Sequence, residues 1–209
     1  MIQPHSHKSG SMLERPGSPK IPLIRLAHPM AFAGFLDHVG APTNRLFRRN
    51  GLPVYCDDPT AFVPLRQAWS LFDDAARCED QMLGWEIGKF YGDGRLSGGL
   101  LSRIEHAPTL YQGLRRLSRL VSSEASHLEL GVVEGHDHIL FTTQYTELKD
   151  WSGYASSQSY QIEVYVDLIR QYLGRDWMPT EIGIELERVP RIAQEHFPGT
   201  RIRPRQRMG

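Results

Sequence analysis

The hydrophobic pattern of this chain changes its repeat near residue 127, and this change limits the folds that the chain can adopt. Before that point apolar residues recur at spacings of three and four, as they do on the buried faces of amphipathic helices. From His127 to Val133 and from Ile139 to Tyr145 they recur at every second position, which is typical of half-buried strands. Because the first strands follow a run of helices, we expect an α+β fold and not an α/β fold, in which the two alternate.

Five helices are predicted in the first part. They are Met30–Val39, ending at Gly40, a short helix from Pro42 to Asn50, a long helix from Pro64 to about Arg77, Leu83–Tyr91, and a helix from Thr109 to Val121. Thr109 is expected to cap the last of these by accepting a hydrogen bond from the Gln112 amide.

The second part predicts a hairpin followed by a helix, a strand and a helix. Glu134–Asp137 supplies turn residues between the two hairpin strands. A long helix follows from Ser156 to Leu173, then a strand over Glu181–Leu186 and a helix over Pro190–His196. We therefore predict an N-terminal helical part packed on a small, mostly antiparallel sheet.

Charge, cysteine count and hydropathy exclude several classes of protein. The 24 basic and 24 acidic side chains cancel, so the chain lacks the positive field of a dedicated nucleic-acid binder. No run approaches the roughly 18 apolar residues of a membrane span, and Cys56 and Cys78 are too few for a disulfide framework. We expect a cytoplasmic protein with no membrane association, and a disordered leader or cloning remnant over residues 1–22.

No chemical motif in the sequence specifies an active site. His136 and His138 flank a turn and lack further ligands at a zinc spacing, so no metal or cofactor is expected. Asp57 and Asp58 precede a proline, as in an ordinary turn, and the glycines between residues 92 and 99 do not form a phosphate-binding loop. We expect no enzyme. The open alternative is an enzyme of unrecognised type that uses His127 or Asp57 as a base in a cleft.

The segment Phe32–Asn50 superficially resembles a helix-turn-helix. In that DNA-binding motif the first residues of the second helix contact bases, but here they are Thr43 and Asn44, and the arginines come later. We therefore interpret this segment as a packing pair of helices.

Four segments together resemble a known family. They are Phe35–Pro53 (FLDHVGAPTNRLFRRNGLP), Asp58–Arg77 (DPTAFVPL, then WSLFDDAAR), Leu96–Val121 (LSGGLLSRIEHAPTLYQGLRRLSRLV) and Trp177–Ile202 (WMPTEIGIELERVP, then FPGTRI). They look like the N-terminal, arabinose-binding-like effector domain of the AraC-type transcriptional regulators whose sensory half is not a cupin barrel. The resemblance extends from about Ile24 to Ile202.

The resemblance implies a sensory domain over residues 23–203 that binds a small effector and forms a homodimer. It also implies that DNA is bound only through a C-terminal helix-turn-helix domain, which this chain lacks, with residues 204–209 as a basic tail at the start of the linker. A further alternative is a module that dimerises through the helix Ser156–Leu173 and binds no small molecule. A cavity of at least about 300 Å³ favours the sensor.

We predict an effector pocket between the N-terminal helices and the sheet. Aromatic rings with polar tips suit the wall of such a pocket, and an arginine suits an acidic effector. The predicted ligand-binding residues are Trp69, Phe72, Trp85, Tyr111, Arg119, Phe141, Tyr145 and Tyr160.

Overall fold

The structure, a computed structural model, describes residues 21–55, 58, 60–79, 83–91, 102, 104, 106–145, 153–186 and 188–204. Its helices are α1 (Ala27–His38), α2 (Thr43–Arg49), α3 (Leu65–Glu79), α4 (Leu83–Tyr91), α5 (Leu110–Leu120), α6 (Tyr154–Leu173) and α7 (Arg191–His196). Its strands are β1 (Leu23–Arg25), β2 (Phe62–Pro64), β3 (Leu128–Glu134), β4 (Ile139–Tyr145), β5 (Glu181–Ile184) and β6 (Arg201–Pro204). Several predictions lie outside the described residues: the leader before residue 21, Cys56, the side chain of Cys78, the base candidate Asp57, the glycines of residues 92–99 and the tail from residue 205.

The predicted helices and hairpin are confirmed to within a few residues. The Thr109 side chain accepts a hydrogen bond from the Gln112 amide at 3.3 Å, as the cap pattern predicts. Gly174 has a positive φ of 94° and ends α6. Helix α1 begins at Ala27, three residues before the predicted start. The prediction missed the first turn because this turn carries little of the apolar repeat. None of the helices in the described ranges combines the length and the apolar character that a membrane crossing needs.

The α+β class is confirmed, but the described strands form three two-stranded sheets instead of one. Strands β1 and β2 are antiparallel, and so are β3 and β4, with Leu128 opposite Tyr145. Strands β5 and β6 are parallel, because the chain passes through α7 between them and returns in the same direction. The expectation of one mostly antiparallel sheet therefore holds for the hairpin and for β1–β2, but not for β5–β6.

Helix α6 lies between two hydrophobic clusters, which explains why it is buried on opposite faces. Tyr160, Val164 and Leu168 belong to the larger cluster, which includes α1, α3 and the base of the hairpin. Val166 belongs to the smaller one, which packs β5 and α7 around Trp85. Most of α6 is covered in this way, which leaves little of this helix exposed, and dimerisation through it stays a prediction.

Two glycines bring α4 close to α6. A side-chain carbon placed on Gly84 would lie 2.2 Å from the Ser156 carbonyl oxygen, and one on Gly88 would lie 2.1 Å from Cγ of Glu163. Both distances are far below van der Waals contact, so the crossing of α4 and α6 depends on these two glycines.

Candidate ligand-binding site

Four of the predicted pocket residues lie in the larger core. Trp69 and Tyr145 are buried. Trp69 meets His127 and Tyr154 edge to face, and Tyr145 meets Tyr154 edge to face with ring centres 4.9 Å apart. Phe72 stacks on Phe32, which also meets the ring of Tyr160 at 5.3 Å. These rings fill the interior and pack on one another.

Of the other four predicted residues, Phe141 packs against the edge of the same core and three lie apart from it. Trp85 is buried in the smaller core against Phe197, and Phe141 packs its ring against Tyr165 at 5.0 Å. Tyr111 is half-buried and Arg119 is exposed, both on α5. The structure therefore does not bring the eight residues together around one space.

A polar cluster crosses the larger core next to its aromatic rings. The Arg25 guanidinium donates to the Glu124 carboxylate at 3.0 Å and to the Ser123 carbonyl at 2.9 Å. The His28 ring approaches the same carboxylate at 3.9 Å, and its Nδ1 lies 3.4 Å from the Tyr160 hydroxyl. Burial, followed by the nearby Arg25, lowers the pKa of His28 to about 4.

His127, the second base candidate of the enzyme hypothesis, is 2% exposed. Burial, with a smaller effect of His28, lowers its pKa to about 4. Its ring packs between those of Trp69 and Tyr145, so a substrate does not reach it in this conformation. Its position is that of a neutral core residue.

A cavity of about 550 Å³ lies between α4, α6 and α7. Its walls are polar, and none of the eight predicted pocket residues lines it. The lining residues are Gly88, Lys89, Glu163, Asp167, Arg170, Gln171, Gly174, Arg175, Glu195 and His196. Whether the predicted residues serve another pocket stays a prediction.

Glu163 and His196 form a buried pair at this cavity. His196 Nδ1 lies 2.7 Å from Glu163 Oε1, so the ring N–H donates to the carboxylate. The His196 side chain is 8% exposed and the Glu163 side chain is 9% exposed. The close approach of Gly88 leaves room for the Glu163 side chain between the helices.

Acidic and basic side chains are arranged differently around the cavity. Glu163 and Asp167 are buried and lie one turn apart on α6, whereas Lys89 and Arg175 are exposed. Arg170 donates to the Trp177 carbonyl at 3.0 Å and to the Met178 sulfur, so two of its donors are occupied by neutral groups. The buried charged residues of the lining are thus two carboxylates, and the exposed ones are Lys89, Arg175 and Glu195.

The cavity residues escaped the sequence prediction for a physical reason. Polar residues on a helix usually face solvent, but α6 has cores on two sides, so Glu163 and Asp167 are buried. The available signal was the matching four-residue spacing of these two acids and of the small pair Gly84 and Gly88.

No group of three or more His, Cys, Asp or Glu side chains in the described part of the chain is placed to hold a metal ion. His138 and Asp137 form an exposed hydrogen-bonded pair at the hairpin turn. The side chains that line the cavity can contact a small polar molecule through charge and hydrogen bonds.

Comparison with curated proteins finds no significant match. Residues 40–199 match the family model described as the arabinose-binding domain of AraC transcription regulators, N-terminal. The match covers all of the structure from α2 to α7, including the three helices around the cavity. The resemblance inferred from the sequence is thereby confirmed, and the chain belongs to the family of N-terminal arabinose-binding domains of AraC transcription regulators.

Proposed function

We propose that this chain is the ligand-sensing domain of an AraC-type transcription regulator and that its effector binds in the cavity between α4, α6 and α7. The observation that carries the proposal is a cavity of about 550 Å³ with the buried Glu163–His196 pair in its wall. Ligand sites commonly measure about 300–1,000 Å³, and a few well-placed polar groups in them fix the orientation of the ligand. The family is regulatory and not catalytic, and the burial of His127 gives no support to its use as a base.

The site supports a mechanism in which the effector changes how helices pack. Its walls come from three separate helices, so a bound molecule favours the arrangement in which all three contact it. To move a regulator from 1:99 to 99:1 between two states, an effector must prefer one state by about 5.5 kcal/mol. Contacts with several buried groups supply a preference of that size more readily than one surface contact does.

We also propose that the domain self-associates through its hairpin. Val133 and Leu140 lie opposite each other in β3 and β4 and are 56% and 46% exposed. Among the described residues these two strands pair only with each other, so their outer edges are available to a second copy. DNA binding by the intact regulator would belong to a C-terminal domain, and we place the protein in the cytoplasm.

A thermal-shift screen of metabolites tests the sensing function. A true effector at about 100 times its Kd should add roughly 2.7 kcal/mol to the free energy of unfolding. The same compound should lose most of this effect on the variant Gly174→Trp, which places a large ring at the cavity. Because Gly174 has a positive φ, the variant Gly40→Trp, at another positive-φ glycine with open space around it, is the matched control. A screen in which no metabolite raises the melting temperature would contradict the proposal.

A further inference from the structure

We propose that the arginine face of α5 contacts the phosphate backbone of duplex DNA. This face consists of Arg115, Arg116 and Arg119, all three of which are exposed. The inference rests on the proposed role in a transcription regulator and goes beyond it. Recognition of bases stays with the C-terminal domain, and the sensing domain adds a contact that does not depend on base sequence.

The first step is the position of the three side chains on α5. Leu114 and Leu117 are buried, so the opposite side of the helix faces solvent. Arg119 follows Arg115 by four residues and Arg116 by three, which places all three arginines on the solvent side. They form a strip of positive charge that extends about 6 Å along the helix axis.

The second step is the lack of acidic partners for this strip. Helix α5 contains no Asp or Glu, and no ion pair within the described ranges includes one of its three arginines. The next acidic residue along the chain, Glu124, is buried and binds Arg25. The positive charge of the arginine face is therefore open to an external anion.

The third step is a comparison with other helices of the same chain. Four residues separate Arg77 from Asp73 on α3, and Arg191 from Glu195 on α7, and each arginine pairs with its acid. On α5 the same spacing joins Arg115 to Arg119, two like charges, which disfavours a helix. An anion bound to this face offsets the repulsion, so charge complementarity favours a polyanionic partner.

The spacing of the arginines fits the backbone of a duplex. Each DNA strand carries a phosphate about every 3.4 Å along the duplex axis, so long side chains placed about 6 Å apart can reach neighbouring phosphates. A guanidinium binds phosphate through two parallel hydrogen bonds. Membership of a family of transcription regulators brings this domain close to DNA, which makes duplex phosphates the favoured polyanion.

Salt-dependent binding to a duplex tests the proposal. The probe is a fluorescein-labelled duplex of about 20 base pairs, titrated with the chain at several KCl concentrations from about 20 mM upward and followed by anisotropy. Three phosphate contacts predict that log K falls with log[KCl] at a slope of about −2.7. A second duplex of unrelated sequence should bind within about twofold. Absence of binding at the lowest salt, or binding to one sequence alone, would overturn the proposal.

Two matched double variants test the assignment to α5. Arg115→Gln with Arg119→Gln removes two exposed cations, so we expect the slope to be smaller by about two and the melting temperature to be unchanged. The control is Arg45→Gln with Arg48→Gln, which changes the net charge equally at two exposed positions of α2 and should leave the slope unchanged. Equal reductions in both variants would overturn the assignment.

Anionic vesicles separate DNA from a membrane as the partner. Phosphatidylserine vesicles carry negative charge without the regular spacing of a duplex, and binding to the vesicles but not to the duplex would overturn the proposal. The sensing function fails separately, because it depends on the thermal-shift screen of metabolites and not on DNA.

Discussion

At the scale of single residues, the buried His28 and His127 make the stability of the fold depend on pH in the acidic range. The pKa of each is lowered to about 4, mainly by burial, whereas an unfolded histidine has a pKa near 6.5. Between these values the unfolded chain binds more protons than the folded one. The contribution of these two histidines to the free energy of unfolding should therefore be constant above about pH 7 and should fall as the pH drops from 6.5 to 4.

The expected loss is about 3 kcal/mol for each histidine across this range. Urea unfolding at a series of pH values measures it, and His28→Gln should reduce the slope because one proton-binding site is gone. The control is His138→Gln, since the His138 side chain is 68% exposed and should leave the slope unchanged. A slope that His28→Gln does not alter would contradict this account.

Single residues also show what residue type and helix face can and cannot predict. Trp69, Phe72 and Tyr160 were expected at a pocket wall from their type and helix face, and they pack on other rings in the core. Residue type and face predict burial well. They do not distinguish a ring that meets a ligand from one that meets another ring, because both environments are apolar.

At the scale of elements, the crossing of α4 and α6 should be the part of the fold most sensitive to small changes in side-chain volume. Gly84→Ala places a methyl group against the backbone of α6, at the Ser156 carbonyl and the Tyr160 amide, which cannot move without shifting the helix. We expect a loss of about 2–3 kcal/mol in the free energy of unfolding, measured by urea denaturation.

Gly34→Ala is the control for this prediction. Its methyl group would meet the hydroxyl end of Tyr91, a half-buried side chain that can rotate away, and alanine is favoured over glycine in a helix by about 1 kcal/mol. We expect a change of less than about 1 kcal/mol. Equal losses from the two substitutions would argue against the close helix crossing.

Helices and the hairpin were predictable because each follows from a local repeat of apolar residues. The pattern located α3, α4 and the β3–β4 hairpin, and it predicted the Thr109 cap. Strands β1 and β2 were not predicted, since three residues are too few to show an alternating pattern. The separation into three sheets depends on contacts between distant segments, which no local repeat contains.

At the scale of the whole molecule, the sequence placed the chain in its family but not its cavity. The family is recognised from several motifs, none of which is distinctive alone, and their order can be read directly from the sequence. The cavity depends on Glu163 and His196, 33 positions apart, and on a helix that lies between two cores. The burial of a helix between two cores arises only when distant segments pack together, so the residue pattern of that helix alone does not predict it.

Self-association is a prediction at the same scale. The double substitution Val133→Thr and Leu140→Thr keeps two residues that favour strands but removes most of the exposed apolar surface. We expect sedimentation velocity to show at least a tenfold weaker dimer. Gln144→Thr, on the same face of β4 but already polar, is the control and should leave the dimer intact. A dimer of unchanged affinity in the double variant would place the interface elsewhere.

The position of His196 has a consequence for how a signal leaves the domain. This histidine is the last residue of α7, and only residues 197–200 separate it from β6. Four residues span at most about 14 Å, and Thr200 is itself held by a hydrogen bond to the Pro179 carbonyl. The link is therefore too short and too well anchored to absorb a displacement of α7. In a regulator whose next domain follows β6, a movement of α7 on ligand binding would therefore change the direction in which the chain leaves β6 toward that domain.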